Sequence, residues 1–312
     1  MKPLQYDLST YLTSVKMSSK IRIMVEGKDD RSHISNVINK LCHGVKFKVD
    51  VAAEIKGICA ATGKNNRAKI ERAHELVKGT SQHKKLLFLC DREIRGFAVS
   101  DFVQDQINGH YVDGQLSWTA GHSMENYFLR SELIGSGIRY LTSSAYKEQA
   151  VGLFVEIFPS MVKMIAAVSL AAHQLNSVSL PCGLIGWKNI RISGRSQADI
   201  DFKFIDNPLA KDLEDAYRTF KGCIDASELE VCLKLCRGHT AIIMVRRVFA
   251  ACIFFVMSAA GDESAESEAN VFDSLNEKLI SNALSEEWIK VVGKEYGNYP
   301  VALIEAMGAL AA

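Results

Sequence analysis

Short apolar runs alternate with amphipathic segments through the first third of the chain. Ile21–Val25 (IRIMV) is a β-rich run, and residues 31–41 place Ile34, Val37, Ile38 and Leu41 at helical spacing. Residues 45–51 (VKFKVDV) alternate apolar and charged positions, as a half-exposed strand does. Residues 67–78 carry Ile70, Ala73 and Val77 on one side of a helix, Leu86–Cys90 (LLFLC) is apolar throughout, and residues 116–120 (LSWTA) read as a fourth strand. A wholly apolar run in a β-α-β-α-β series suits a central parallel strand covered on both faces. The pattern predicts an open, mostly parallel α/β sheet with flanking helices and with ligands at the carboxyl ends of its strands.

The texture changes near residue 130. Helices are predicted over residues 131–141, 145–158, 161–175, 209–223, 227–236, 240–260, 272–284 and 286–295, with Pro159, Pro181, Pro208 and Gly238 as separators and 261–269 (GDESAESEA) as an acidic loop. The division expected is a catalytic α/β domain over 1–130 and a helical domain over 131–312 that serves dimerisation or partner contacts. Residues 241–260 resemble a membrane span, but Arg246 and Arg247 interrupt them and leave 13 apolar or small residues, short of the roughly 20 required. A buried helix of a soluble core is the expectation.

At 312 residues, 48% hydrophobic and 23% charged, the chain is large enough to bury a full core, which excludes disorder and a small disulfide scaffold. Net charge is +1, yet residues 1–130 hold 20 Lys/Arg against 14 Asp/Glu, and the remainder holds 17 against 22. That asymmetry points weakly to a nucleic acid facing the N-terminal half. Most of the eight cysteines lie in apolar runs, as reduced thiols of a cytoplasmic protein do, and the segment MKPLQYDLST has no apolar stretch of signal-peptide length.

Three acidic clusters follow three predicted strand ends: Glu26-Gly27-Lys28-Asp29-Asp30 after IRIMV, Asp91-Arg92-Glu93 after LLFLC, and His122-Ser123-Met124-Glu125-Asn126 after LSWTA. Strand ends of a parallel sheet share one edge, so the clusters are expected to converge. Convergent carboxylates repel unless a cation neutralises them, and oxygen donors suit Mg²⁺ or Mn²⁺. Asp91 and Glu93 would share a face in an extended strand end. Gly27 lets the chain turn and a phosphate approach. These are the parts for metal-assisted phosphodiester chemistry. Helix capping is the competing role: Asp29 and Asp30 both fit it ahead of the helix expected from Arg31, and it is favoured over catalysis for Asp29.

At these residues the chain resembles the TOPRIM fold of topoisomerases, primases and OLD-type nucleases: Val25-Glu26-Gly27 with an acid at Asp30, then Asp91-x-Glu93 after an apolar strand. Ser123-Met124-Glu125-Asn126-Tyr127-Phe128 is similar to the ENY-type motif of a TOPRIM-like family encoded beside ABC-type ATPases in phage-defence operons, and Arg237-Gly238-His239 resembles that family's Gly-His signature. The resemblance implies that Glu26 is an acid/base group or metal ligand, and that Asp91 and Glu93 bind the metal. It makes Asp30, Glu125 and Lys28 further candidates. Glu93 stands where many TOPRIM proteins have Asp, which leaves Asp91 as a sufficient ligand on its own in one version of the site. The resemblance further implies a toxic nuclease held inactive by an ABC-type ATPase subunit. By the same resemblance, a phage anti-restriction protein would trigger its release, and the freed enzyme would dimerise and cut host tRNA in the anticodon region, lysine tRNA among the targets. An OLD-type DNA nuclease or nickase, and a degenerate scaffold that only binds the ATPase, are the alternatives.

Residues 56–69 (KGICAATGKNNRAK) form a basic loop that lacks the phosphate-loop spacing, since five residues separate Gly57 from Gly63 and Asn65 replaces the required Ser/Thr. Lys56, Lys64, Arg67 and Lys69 are candidate contacts to a nucleic-acid backbone, with a solvated loop as the equal alternative. Cys223, Cys232, Cys236 and His239 lack paired zinc-ligand spacing, so buried thiols are expected.

Overall fold

The computed structural model describes residues 6–57, 60–63, 65–107, 109–294 and 297–311. In chain order the elements are α1 (Leu8–Lys16), β1 (Ile21–Val25), α2 (Lys28–Leu41), β2 (Phe47–Val51), α3 (Ala60–Gly63), α4 (Asn66–Val77), β3 (Leu86–Cys90), β4 (Phe97–Val99), β5 (Val103–Asp105), β6 (Val112–Asp113) and β7 (Leu116–Trp118). They continue with α5 (Ser131–Arg139), α6 (Lys147–Gln174), α7 (Leu180–Leu184), β8 (Ile190–Ser193), β9 (Gln197–Ile200), α8 (Leu209–Asp225), α9 (Leu229–Leu235), α10 (Gly238–Ala259), α11 (Ala265–Asp273), α12 (Glu277–Val291) and α13 (Val301–Ala311). The chain divides into two compact units: residues 1–92, 107–124 and 291–312, and residues 93–106 and 125–290. Thus 291–312 belongs with the N-terminal residues, whereas a division at 130 assigns it to the other part.

The first unit is a five-stranded sheet of order β2-β1-β3-β7-β6, parallel except for the antiparallel edge strand β6. All five residues of β1 and of β3 are buried, as befits central strands, β3 being apolar throughout and β1 apolar except for Arg22. From β1 the chain crosses through α2 to β2 on one side, then through α4 to β3 on the other. Right-handed crossovers in opposite directions put α2 and α4 on opposite faces, and the strand order reverses between β1 and β3. One core gathers Tyr11 and Val15 of α1 and Ile70, Ala73 and Val77 of α4 against Met24, Phe88 and Cys90. Ile34, Val37 and Ile38 of α2 are buried as their spacing predicts, and α13 lies against β3.

β2 meets the expectation of a half-exposed strand at Phe47 and Lys48 and departs from it at Asp50, which is buried between Val49 and Val51. Arg22 Nε donates to Asp50 Oδ2 at 2.6 Å and the Tyr11 hydroxyl donates to the same oxygen at 3.1 Å. α1 covers this face, so the charge is paired instead of solvated.

His74 and His83 are buried in the same unit. Burial lowers the pKa of both; Lys16 adds to the effect at His83, and Asp113 opposes it at His74. The unfolded chain therefore takes up protons first, near the ordinary histidine value of about 6.5. The stability these residues contribute is present above that value and lost as pH falls through it. The urea midpoint is expected to drop between pH 7.5 and 5.5, and to drop less in the double variant His74→Gln/His83→Gln.

The second unit is mainly helical with two antiparallel hairpins, β4–β5 and β8–β9. α6 runs 28 residues straight through Pro159, which was expected to separate two helices. Proline there removes one backbone bond at a cost of roughly 3 kcal/mol. Seventeen of the 28 residues are buried, which outweighs that loss. Phe154 of α6 meets Phe249 of α10, which meets Phe272 of α11. The acidic 261–269 stretch is helical from Ala265, and the helix expected over 272–284 is instead broken between α11 and α12. α6 and α10 are each long and apolar enough to cross a membrane, with 67% of the most apolar window of each buried.

Candidate functional site

β1 and β3 are neighbours, so the residues that follow them emerge side by side at the carboxyl edge where the strand order reverses. These residues are Glu26 and Asp91. The Asp91 N–H donates to Glu26 Oε1 at 3.1 Å, and both residues are half-buried. Arg92 is almost fully buried: its N–H donates to Thr119 Oγ1 at 3.0 Å and Nη1 donates to the Ala120 carbonyl at 2.8 Å. That anchor ties the end of β3 to the end of β7.

The loop after β1 is a helix entry. α2 starts at Lys28, not Arg31, with Gly27 as its extended N-cap, and the Gly27 N–H donates to Asp30 Oδ2 at 2.7 Å. Asp30 thus closes the first turn in the manner of a capping box, Asp29 lies inside that turn, and Lys28 is exposed. Of the two residues expected to fit the capping role, Asp30 takes it.

Two charges from α4 join Glu26 and Asp91. Burial pushes the Cys90 thiol well above its ordinary range; Glu26, Glu71 and Asp91 add to the push, and Arg67 opposes it. The charges of Glu71 and Arg67 therefore reach the end of β3 alongside those of Glu26 and Asp91. Glu71 escaped the sequence reading because it lies mid-helix, outside every strand-end cluster.

Glu93 does not share a face with Asp91. β3 ends at Cys90, and Glu93 adopts a left-handed backbone (φ 53°) that costs a non-glycine residue about 1 kcal/mol and breaks the extended geometry the expectation needed. Glu93 opens a segment of the second unit. Of the basic loop, Lys69 is buried with Nζ on the Ala52 carbonyl at 3.0 Å, so it is not a surface phosphate contact. Lys56 is exposed, Arg67 is half-buried, and Lys64 lies outside the described residues. A Cβ on Gly57 would stand 2.4 Å from the Thr62 carbonyl oxygen, so that glycine serves close packing.

The ENY-type motif belongs to the second unit from Glu125 onward. Asn126 Nδ2 donates to the carbonyls of Leu233 and Cys236 at 2.6 and 2.9 Å, satisfying the end of α9. Tyr127 stacks on the buried Trp288, and Phe128 tilts against the same ring. Asn126→Ala strands two carbonyls and is expected to cost about 2 kcal/mol or more in urea unfolding, with activity per folded molecule retained; a catalytic asparagine would reverse that outcome. Glu125 bears on Glu277, whose carboxyl is raised by burial and lowered by His239, with Glu125 raising it further. His239 Nδ1 lies 2.5 Å from Glu277 Oε1. The His of the Gly-His signature and the Glu of the ENY-type motif thus meet around Glu277, which the sequence did not single out. Cys232 and Cys236 are buried and reduced, as expected.

Among the described residues no three His, Cys, Asp or Glu side chains group closely enough to hold a metal by themselves. The pair Glu26 and Asp91 still suits Mg²⁺, which commonly takes one or two carboxylates and completes its shell with water and substrate phosphate. No protein-family model matches the chain, and no curated protein does.

Proposed function

We propose that the chain is a metal-dependent phosphodiesterase of TOPRIM type that cuts nucleic acid. The observation that carries this reading is the placement of Glu26 beside Asp91 at the switch point of a parallel sheet, with Glu26 Oε1 on the Asp91 amide. Glu26 and Asp91 would hold Mg²⁺ or Mn²⁺. The bound ion would supply Lewis-acid stabilisation of charge on the phosphate oxygens. The chain's own contribution is a fixed carboxylate pair, anchored through Arg92, in which Glu26 can take or return a proton at Oε2 while Oε1 stays on the amide.

The biological setting follows from the motif resemblance. It is to AriB, the nuclease subunit of the PARIS anti-phage system, which the ATPase AriA holds inactive until a phage anti-restriction protein triggers its release as a tRNA-cutting dimer. By that reading this chain is a cytoplasmic toxic effector with host tRNA as substrate. The test is end-mapping of cellular RNA after expression of the chain alone, and then beside the ATPase and trigger. New tRNA ends that need the trigger and Glu26 support the proposal. Intact RNA with broken DNA would move the assignment to a DNA nuclease, and no cleavage by an assembled complex would leave a binding scaffold.

A further inference from the structure

α4 begins at the carboxyl edge of the sheet. The Asn65 side chain accepts the Ala68 N–H at 2.9 Å, and Lys69 Nζ reaches the Ala52 carbonyl directly after β2. The helix then runs antiparallel to β3, as a crossover helix must. The His74 ring stands 5.6 Å from the Phe88 ring, and Ile70 and Val77 share the core with Cys90 and Leu86. Arg67 lies three residues before Ile70 on the same side, about 4.5 Å further along the axis. Asp91 lies about 3.3 Å beyond Cys90. Arg67 therefore comes level with Asp91 at the edge of the sheet, and Glu71 follows it by one turn on the same face.

With a divalent ion on Glu26 and Asp91, the charge of Glu71 still leaves the site with one negative charge in excess, which disfavours an approaching phosphodiester. A guanidinium offers two parallel N–H donors to phosphate oxygens and remains charged at any working pH. Of the basic loop's described members, Lys69 is committed to a backbone carbonyl, and Arg67 is the one that the register of α4 on β3 brings level with Asp91. We infer that Arg67 is the substrate-phosphate ligand of this site, gripping the phosphate oxygens of the nucleic acid beside Glu26 and Asp91, and that Glu71 is the positioning residue that holds its guanidinium. The inference rests on the phosphodiesterase reading.

The test uses the full chain. In a Glu26→Gln background, binding of a fluorescein-labelled single-stranded RNA is followed by anisotropy across a KCl series. Adding Arg67→Ala is expected to weaken binding about tenfold and to lower the log–log salt slope by about 0.7, the loss of one phosphate contact. Arg72→Ala removes the same charge from an exposed position on the same helix, where Arg72 pairs with Glu75, and is expected to change neither quantity. With Glu26 restored, Arg67→Lys is expected to keep the slope but lower kcat at least about tenfold, because lysine lacks the planar fork. Glu71→Gln is expected to lower kcat with the slope unchanged. Unaltered affinity and slope in Arg67→Ala, or a fully active Arg67→Lys, overturns the inference and leaves Glu26-dependent cleavage standing. A wild-type chain that neither binds nor cuts nucleic acid overturns the underlying reading, and this inference with it. Should Arg67→Ala melt far below wild type, the Arg67→Lys comparison still decides.

Discussion

Glu26→Gln is expected to lower nucleic-acid cleavage by about 10³-fold or more while the protein unfolds within about 1 kcal/mol of wild type. The glutamine keeps an oxygen where Glu26 Oε1 accepts the Asp91 N–H, so the turn after β3 retains its bond. What disappears is the negative charge and the group able to move a proton. Glu26→Ala removes the acceptor as well and is expected to add a stability loss of about 1 kcal/mol. A gel assay on matched RNA and DNA, read beside urea unfolding, separates charge from positioning. Glu26→Gln with more than a tenth of wild-type activity would sink the assignment. Asp91→Asn offers the companion measurement: Mn²⁺ affinity, followed by the ion's magnetic resonance signal, is expected to fall at least about tenfold.

Asp50→Ala is expected to destabilise the fold by about 3–5 kcal/mol, the cost of leaving a buried charge unpaired. The Arg22 and Asp50 side chains are only 9% and 11% exposed, and the guanidinium lies 5.5 Å from the centre of the Tyr11 ring. Removing the carboxylate strands both Arg22 and the Tyr11 hydroxyl. Replacing the pair together, as Arg22→Met/Asp50→Leu, is expected to recover most of the loss, since apolar groups of similar volume leave no desolvated charge behind. A loss below 1 kcal/mol in Asp50→Ala would mean that water reaches the guanidinium and the pair is not a core element. Folded Asp50→Ala is expected to cleave normally, because Arg22 and Asp50 lie on β1 and β2 before their carboxyl ends and Tyr11 lies on α1.

The runs of β1 and β3 were legible to the residue, because a five-residue stretch buried on both faces is apolar at nearly every position, with the paired Arg22 as the exception. The helix spacings of α2 and α4 were legible for the same reason on one face. Two- and three-residue strands such as β6 and β4 carry too few positions to show a period. Asp50 read as a solvated residue because alternation reports which face a side chain takes, not what covers that face. Pro159 read as a break because the backbone cost is local, whereas the packing that outweighs it comes from α8 and α10.

The site divides along the same line. That Glu26 and Asp91 lie on one edge of the sheet was expected from sequence, since both follow strands of a parallel series; that they are neighbours comes from the strand order, in which β1 pairs with β3. Which acids join them did not follow. Asp91 and Glu93 are two residues apart in the chain, and a single left-handed residue ends their common face. Glu125 keeps company with Glu277 and His239, more than 100 residues further along, and Glu71 reaches the end of β3 from the middle of a helix. The sequence by itself determined the parallel sheet and the acids at its edge, because periodicity and burial act over five to ten residues. Only the tertiary structure decided which charges share a site, because electrostatic and packing energies depend on distance in space and are indifferent to separation along the chain.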